Sequence, residues 1–143
     1  MISIIAKWEH GWFDTKVELA MWLQTMKAYG VKKLAMVPIR ESTGRAEQFL
    51  SMQKAIDKYN GVKKVFLEPI KNQVLTKHKF TSLSDYNHPK DCVYIFGNSG
   101  SGNAELAKTE DDIVYIPTPN DVDLFGLVAF GMVMYDRSVK SVS

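Results

Sequence analysis

The sequence predicts an α/β fold built on a mostly parallel sheet of about five strands, with helices on both faces. Two observations carry that expectation. Short apolar runs rich in β-branched and aromatic residues alternate with segments of helical period, the pattern of strand–helix–strand units. One run, Cys92 to Phe96, has no polar alternation at all, as a strand covered on both faces should read.

Ile2 to Ala6 is the first apolar strand. Trp8-Glu9-His10-Gly11-Trp12-Phe13 is a loop with three aromatic rings, which either cover a core edge or stack on a planar ligand. Asp14 or Thr15 caps a helix running to Tyr29, with Leu19, Trp22, Leu23 and Met26 at helical spacing and Gly30 as its stop. Lys33 to Val37 is the second strand, ended by Pro38. The loop from Ile39 to Arg45 carries two arginines. Thr43 begins a second helix, in which Phe49, Met52, Ala55, Ile56 and Tyr59 fall three or four apart. Lys64 to Leu67 is the third strand. Ile70 to Pro89 has little periodicity, with one helical turn expected around Leu83 to Tyr86. The last two strands are Cys92–Phe96 and Ile113–Ile116. After Pro119 a long helix starting near Asn120 is apolar on nearly all sides from Leu124 to Tyr135, so a second subunit is expected to cover one face. Gly126 and Gly131 would let another helix come close.

The stretch from Asp91 to Pro119 organises the rest. Gly97, Gly100 and Gly102 follow a buried strand and offer conformational freedom and bare backbone to a ligand. Asn103 is placed to cap a short helix. Gly97 and Gly102 have P-loop spacing, but Asn103 and Ala104 stand where lysine and Ser/Thr belong, which argues against a nucleoside triphosphate. Gly100-Ser-Gly102 opens a dinucleotide fingerprint, yet Glu105 holds the third glycine position. The other reading is a tight connection with no ligand. In parallel sheets ligands bind beyond the carboxyl ends of the strands, where Pro38, the glycine loop and Pro117–Pro119 all fall.

At 143 residues the chain is expected to form one domain, 1–143. It has no apolar run of membrane-spanning length and no signal-peptide pattern, and with its single cysteine, Cys92, in a strand, a cytoplasmic location follows. His10, His78 and His88 lack metal-ligand spacing, so no metal is expected. The net charge of +2 hides an asymmetry: six lysines against two acids from Lys63 to Lys90, then six acids against one lysine from Gly100 to Phe125. The basic part suits a polyanion, or is simply a solvated surface.

Three pieces resemble the SPOUT superfamily of RNA methyltransferases, in particular its small SpoU-like (TrmH-like) members. They are Lys27–Pro38, the glycine-loop segment Val93–Gly102, and Ile116-Pro-Thr-Pro119 with its terminal helix. The resemblance implies a C-terminal trefoil knot, a homodimer formed through the C-terminal helix, and S-adenosylmethionine as cofactor. It implies RNA, tRNA or rRNA, as partner, for which the basic stretch offers Lys71, Lys77 and Lys79 as contacts. By position, Phe96, Gly97, Gly100, Gly102, Ile116 and Thr118 would surround the adenosyl group, and Leu124 and Phe125 would close over it. The family's polar residues are replaced: Glu18 and Gln24 in the first motif, Phe125 and Leu127 in the third. Arg40 or Arg45 would then substitute for the phosphate contact. Two functions stand side by side: a divergent RNA methyltransferase, and a SPOUT-fold dimer that binds cofactor or RNA without methyl transfer. A third is an enzyme using the cofactor for another reaction.

Overall fold

A computed structural model describes residues 1–10, 14–40 and 46–140. Its centre is a sheet in which every pairing is parallel. The strands are β1 (Ile2–Lys7), β2 (Lys33–Val37), β3 (Glu47–Gln48), β4 (Lys64–Leu67), β5 (Thr81–Ser82), β6 (Cys92–Phe96) and β7 (Asp112–Tyr115). Among the described residues they lie in the order β3-β2-β1-β6-β4-β7-β5. The expected five strands are thus seven. The two extra ones are two-residue polar strands at the two edges, made by pairing with β2 and β7 rather than by any apolar run of their own.

Side chains alternate across the sheet and build a core on each face. On one face Ile4, Trp8, Tyr94 and Phe96 meet Trp22 of helix α1 (Thr15–Tyr29) and Phe130 of helix α3 (Gly126–Val139). Trp22 stacks on Phe130 with ring centroids 5.0 Å apart. On the other face Ile5, Phe66, Val93 and Ile95 meet Met52, Ala55 and Ile56 of helix α2 (Met52–Asp57). The three-ring loop resolves towards the core at Trp8, which is buried and donates its indole N–H to the Pro38 carbonyl at 2.8 Å. Trp12 and Phe13 lie outside the described residues.

Helix α1 follows its sequence signals: Asp14 accepts from the backbone N–H of Lys16 and Val17, and Gly30 turns the chain out at φ 70°. The other two helices start later than their periodicity suggests. The helix expected from Thr43, itself outside the described residues, begins at Met52, because Ser51 caps it and Glu47–Gln48 is drawn into the sheet. Phe49 therefore precedes the helix. The helix expected from near Asn120 begins at Gly126, after an extended Phe125. The segment after the glycine loop is a 3-10 turn, Ala104–Leu106, and the Asn103 side chain makes no capping bond. A second such turn, Ile70–Leu75, lies where no element was expected, whereas the turn at Leu83–Asp85 agrees with the sequence.

The last turns of α3 are tied to the sheet by a buried polar cluster. His88 Nε2 meets Asp136 at 2.7 Å, and its Nδ1 meets the Tyr94 hydroxyl at 2.8 Å. Arg137 donates to Tyr94 and to the carbonyls of Pro89 and Lys90, while Lys140 pairs with Asp136. Cys92 is buried at the start of β6, and burial pushes its thiol up. No helix among the described residues is long and apolar enough to cross a membrane.

Candidate functional site

A cavity of about 800 Å³ opens beyond the carboxyl ends of β4, β6 and β7. Its floor is Leu67 and Phe96, its near wall the loop Gly97–Gly102, and its far wall the segment Ile116–Leu124. Gly126 and Ala129 of α3 close one side. The position follows from the strand ends: the glycine loop leaves β6 and the Ile116–Leu124 segment leaves β7, on either side of β4, so the cavity opens beyond the carboxyl ends, where ligands of open parallel sheets bind.

The sequence-predicted residues largely converge here. Phe96, Gly97, Gly100, Gly102, Ile116, Thr118 and Leu124 all line the cavity; Phe125 and Pro38 do not. Lys71 lines it too, but its ammonium is paired with Asp123 at 2.9 Å, bracing the Ile116–Leu124 wall. Lys77 and Lys79 are exposed. Arg40 is outside the cavity. Its guanidinium donates to the Glu9 carbonyl at 3.1 Å and the Thr15 hydroxyl at 3.2 Å, and lies over the Trp8 ring. Arg45 falls outside the described residues.

The glycines act through close approach. Neither Gly97, Gly100 nor Gly102 adopts the left-handed conformation, which is confined to Gly30 and Gly61 among the described glycines. A Cβ on Gly97 would lie 2.3 Å from the Ser101 carbonyl oxygen, and one on Gly102 would lie 2.2 Å from Glu68 Oε1. Much of the loop's backbone is already committed. Asn98 accepts from the N–H groups of Gly100 and Ser101, Glu9 accepts from Ser99, and Glu68 accepts from Asn103. The expected bare N–H cradle is thus, at these four residues, a frame already bonded to Asn98 within the loop and to Glu9 and Glu68 outside it.

Residues that periodicity could not single out complete the site. Glu68, just past β4, is 3% exposed and receives the Asn103 N–H at 2.8 Å and the Asn72 amide at 3.1 Å. Burial pushes its carboxyl up, against those hydrogen bonds. Glu105, Asp121 and Asp123 also line the cavity, so acids outnumber Lys71 there. Lys7 donates to the Gly102 carbonyl at 2.8 Å, and burial holds its ammonium below the usual lysine range. The signal in the sequence was Glu68 directly after an apolar strand, a charged residue at a carboxyl end.

The cavity suits an adenosyl compound in kind. Phe96, Ile116, Leu124 and Ala129 give apolar surface for a planar ring, while the carboxylates suit a positively charged group. Among the described residues no three His, Cys, Asp or Glu converge as metal ligands.

The architecture is an all-parallel α/β sheet with a crevice beyond the carboxyl ends of β4, β6 and β7. The chain has the fold of TrmH/SpoU-type RNA methyltransferases, as solved structures show. The AdoMet-bound rRNA methyltransferase from Sinorhizobium meliloti superposes with a TM-score of 0.68 at 15% identity, over 98% of this chain and 57% of that one. The TrmH/SpoU tRNA modifying enzyme from A. aeolicus gives 0.65 at 18% identity, over 95% and 73%. A structure concerned with 2-OH methylation on tRNA gives 0.64 at 13% identity, over 96% and 93%. The chain spans little more than half the length of several such proteins. No protein-family model and no curated protein matches the sequence.

Proposed function

We propose that this protein binds S-adenosylmethionine in the cavity and transfers its methyl group to RNA. The observation that carries the reading is the cavity itself: about 800 Å³ between the Gly97–Gly102 and Ile116–Leu124 walls, in a chain with this fold. When bound, the cofactor supplies an electrophilic methyl on a sulfonium. Phe96, Ile116 and Leu124 would hold the adenine by apolar contact, and the rims at Gly97, Gly100, Gly102 and Thr118 would border the ribose. The exposed cavity carboxylates, Glu105 and Asp121, would offset the positive charge. The Ile116–Leu124 wall, braced by Lys71–Asp123, would keep water out. Lys77 and Lys79 are exposed cations suited to RNA phosphates, with Lys71 reaching them only by leaving Asp123.

The assembly belongs to the same reading. Val128, Met132, Tyr135 and Val139 are exposed along one stripe of α3, and Val17 and Met21 are exposed on neighbouring α1. We infer that a second copy covers this stripe, and that the C-terminal part of the chain is threaded as a trefoil knot, a rare topology.

One observation favours the second reading, a dimer that binds without transfer. The donors of Arg40 described above point to Glu9 and Thr15, outside the cavity. Isothermal titration with S-adenosylmethionine, beside a tritium-methyl transfer assay on bulk RNA, separates the two. Binding with transfer is the expected result; binding without transfer selects the second reading, and no binding removes the cofactor from both.

A further inference from the structure

The glycine loop is stapled at both ends by a buried carboxylate. Glu68 takes the Asn103 N–H on the β4 side. Glu9, just past β1, takes the Ser99 N–H at 3.1 Å and the Ser99 hydroxyl on the other. Glu68 lines the cavity; Glu9 does not, although it is 4% exposed. Burying a carboxylate away from any ligand is expensive, and a neutral acceptor would satisfy the same serine. The carboxylate is nonetheless there, with His10 Nε2 4.0 Å from its Oε1, and the Glu9 main chain that carries it is itself held. The Glu9 N–H donates to both oxygens of Glu18 at 3.1 and 3.2 Å, Glu18 also receives the Trp22 indole N–H at 3.1 Å, and Arg40 grips the Glu9 carbonyl.

We propose that Glu9 is a positioning residue for the ligand cavity: anchored to α1 through Glu18, its carboxylate fixes Ser99 and so sets the loop whose Asn98, Gly100 and Ser101 form the cavity wall. The inference rests on the reading of the cavity as the cofactor site. The chain of contacts is continuous, Trp22 to Glu18 to the Glu9 backbone, and the Glu9 side chain to Ser99. A second link runs in parallel, since the Asn98 amide donates to the Trp8 carbonyl at 2.8 Å. The two links fasten adjacent loop residues to adjacent residues after β1, which fixes orientation as well as distance. Both donors of Ser99 converge on the Glu9 side chain while Asn98 is tied to Trp8, so the loop is set before any ligand arrives. The arrangement gives Glu18, which is buried on the first turn of a surface helix, a reason to be a carboxylate.

The test compares wild type with Glu9→Ala, Glu9→Gln and Ser99→Ala by two measurements. Amide hydrogen exchange is read at Ser99, Gly100 and Ser101 against the β1 and β6 amides, and S-adenosylmethionine affinity is read by calorimetry. Glu9→Ala is expected to speed loop exchange at least tenfold with β1 and β6 unchanged, and to weaken binding about tenfold. Glu9→Gln, which keeps one acceptor oxygen, should fall between, and Ser99→Ala, which keeps the N–H bond, should lie nearest wild type. Exchange rising equally in β6, or loop exchange and affinity both unchanged, overturns the proposal. If Glu9→Ala does not fold, Glu9→Gln carries both measurements. If wild type binds no cofactor, the cofactor reading fails, and the exchange result alone decides whether Glu9 holds the loop.

Discussion

A methyl group on Gly126 would lie 2.4 Å from the carbonyl oxygen of Gly97, a backbone atom that cannot move without moving the cavity wall. Gly126→Ala is therefore expected to destabilise the fold by about 1–3 kcal/mol, the usual cost of overpacking, and to weaken ligand binding; thermal unfolding and calorimetry read the two effects. Gly131 is the opposite case. Nothing lies within 4 Å of its missing Cβ, and it sits inside a helix, so Gly131→Ala should stabilise the isolated chain by about 0.5–1 kcal/mol. These residues also mark how far the sequence could be read. The glycine loop was legible as a place where side chains are forbidden. What forbids them was not, because the obstructing atoms belong to Ser101 within the loop, to Glu68 some thirty-four residues from Gly102 and to His10 some ninety residues from Gly100. Lys71, Lys77 and Lys79 read alike in sequence, yet Lys71 is paired with Asp123, a contact that no local pattern announces.

At the scale of the element, α3 is held by a cluster with a built-in response to acid. His88 faces Asp136 and Arg137 of α3, Lys140 just beyond that helix, Tyr94 of β6, and the ring of Tyr86 from the segment before it. Burial lowers its affinity for a proton, outweighing the Asp136 carboxylate. Neutral His88 donates from Nε2 to Asp136 and accepts the Tyr94 hydroxyl proton at Nδ1; a second ring proton would leave that hydroxyl facing another donor. The folded-state pKa lies below the unfolded one. The stabilisation is therefore full above the ordinary histidine value of about 6.5 and is lost as pH falls towards the folded pKa. Urea unfolding at pH 7.5 and pH 5.5 should show a gap between wild type and His88→Gln that narrows in acid. A constant gap would mean that the cluster does not titrate. Elements were legible where caps and period agreed, as in α1. They were misread where a local competitor intervened: Ser51 and the pairing of Glu47–Gln48 shortened the second helix, and the extended Phe125 delayed the third.

For the whole molecule the exposed stripe of α3 is the feature that a lone chain leaves unexplained. Val128, Met132, Tyr135 and Val139 follow helical spacing, which fits a partner helix better than scattered exposure. Met132→Glu should turn a sedimenting dimer into a monomer without unfolding it, since Met132 is 41% exposed. Gly131→Ala should weaken the dimer if helices approach closely there, even while stabilising each subunit. The overall α/β architecture was legible because buried parallel strands have so plain a composition. The two edge strands were not, because two polar residues paired by their neighbours leave no compositional trace.

The central position of β6 fixes a timetable for the chain's birth. β1 can join β2 early, and β4 can form, but the two halves share no strand until residues 92–96 arrive to lie between them. On a ribosome adding about 5–20 residues per second, the β1–β2 pair waits several seconds with an apolar sheet edge open. Chaperone capture of nascent chains, followed by length, should rise until Phe96 clears the exit tunnel and fall sharply after it.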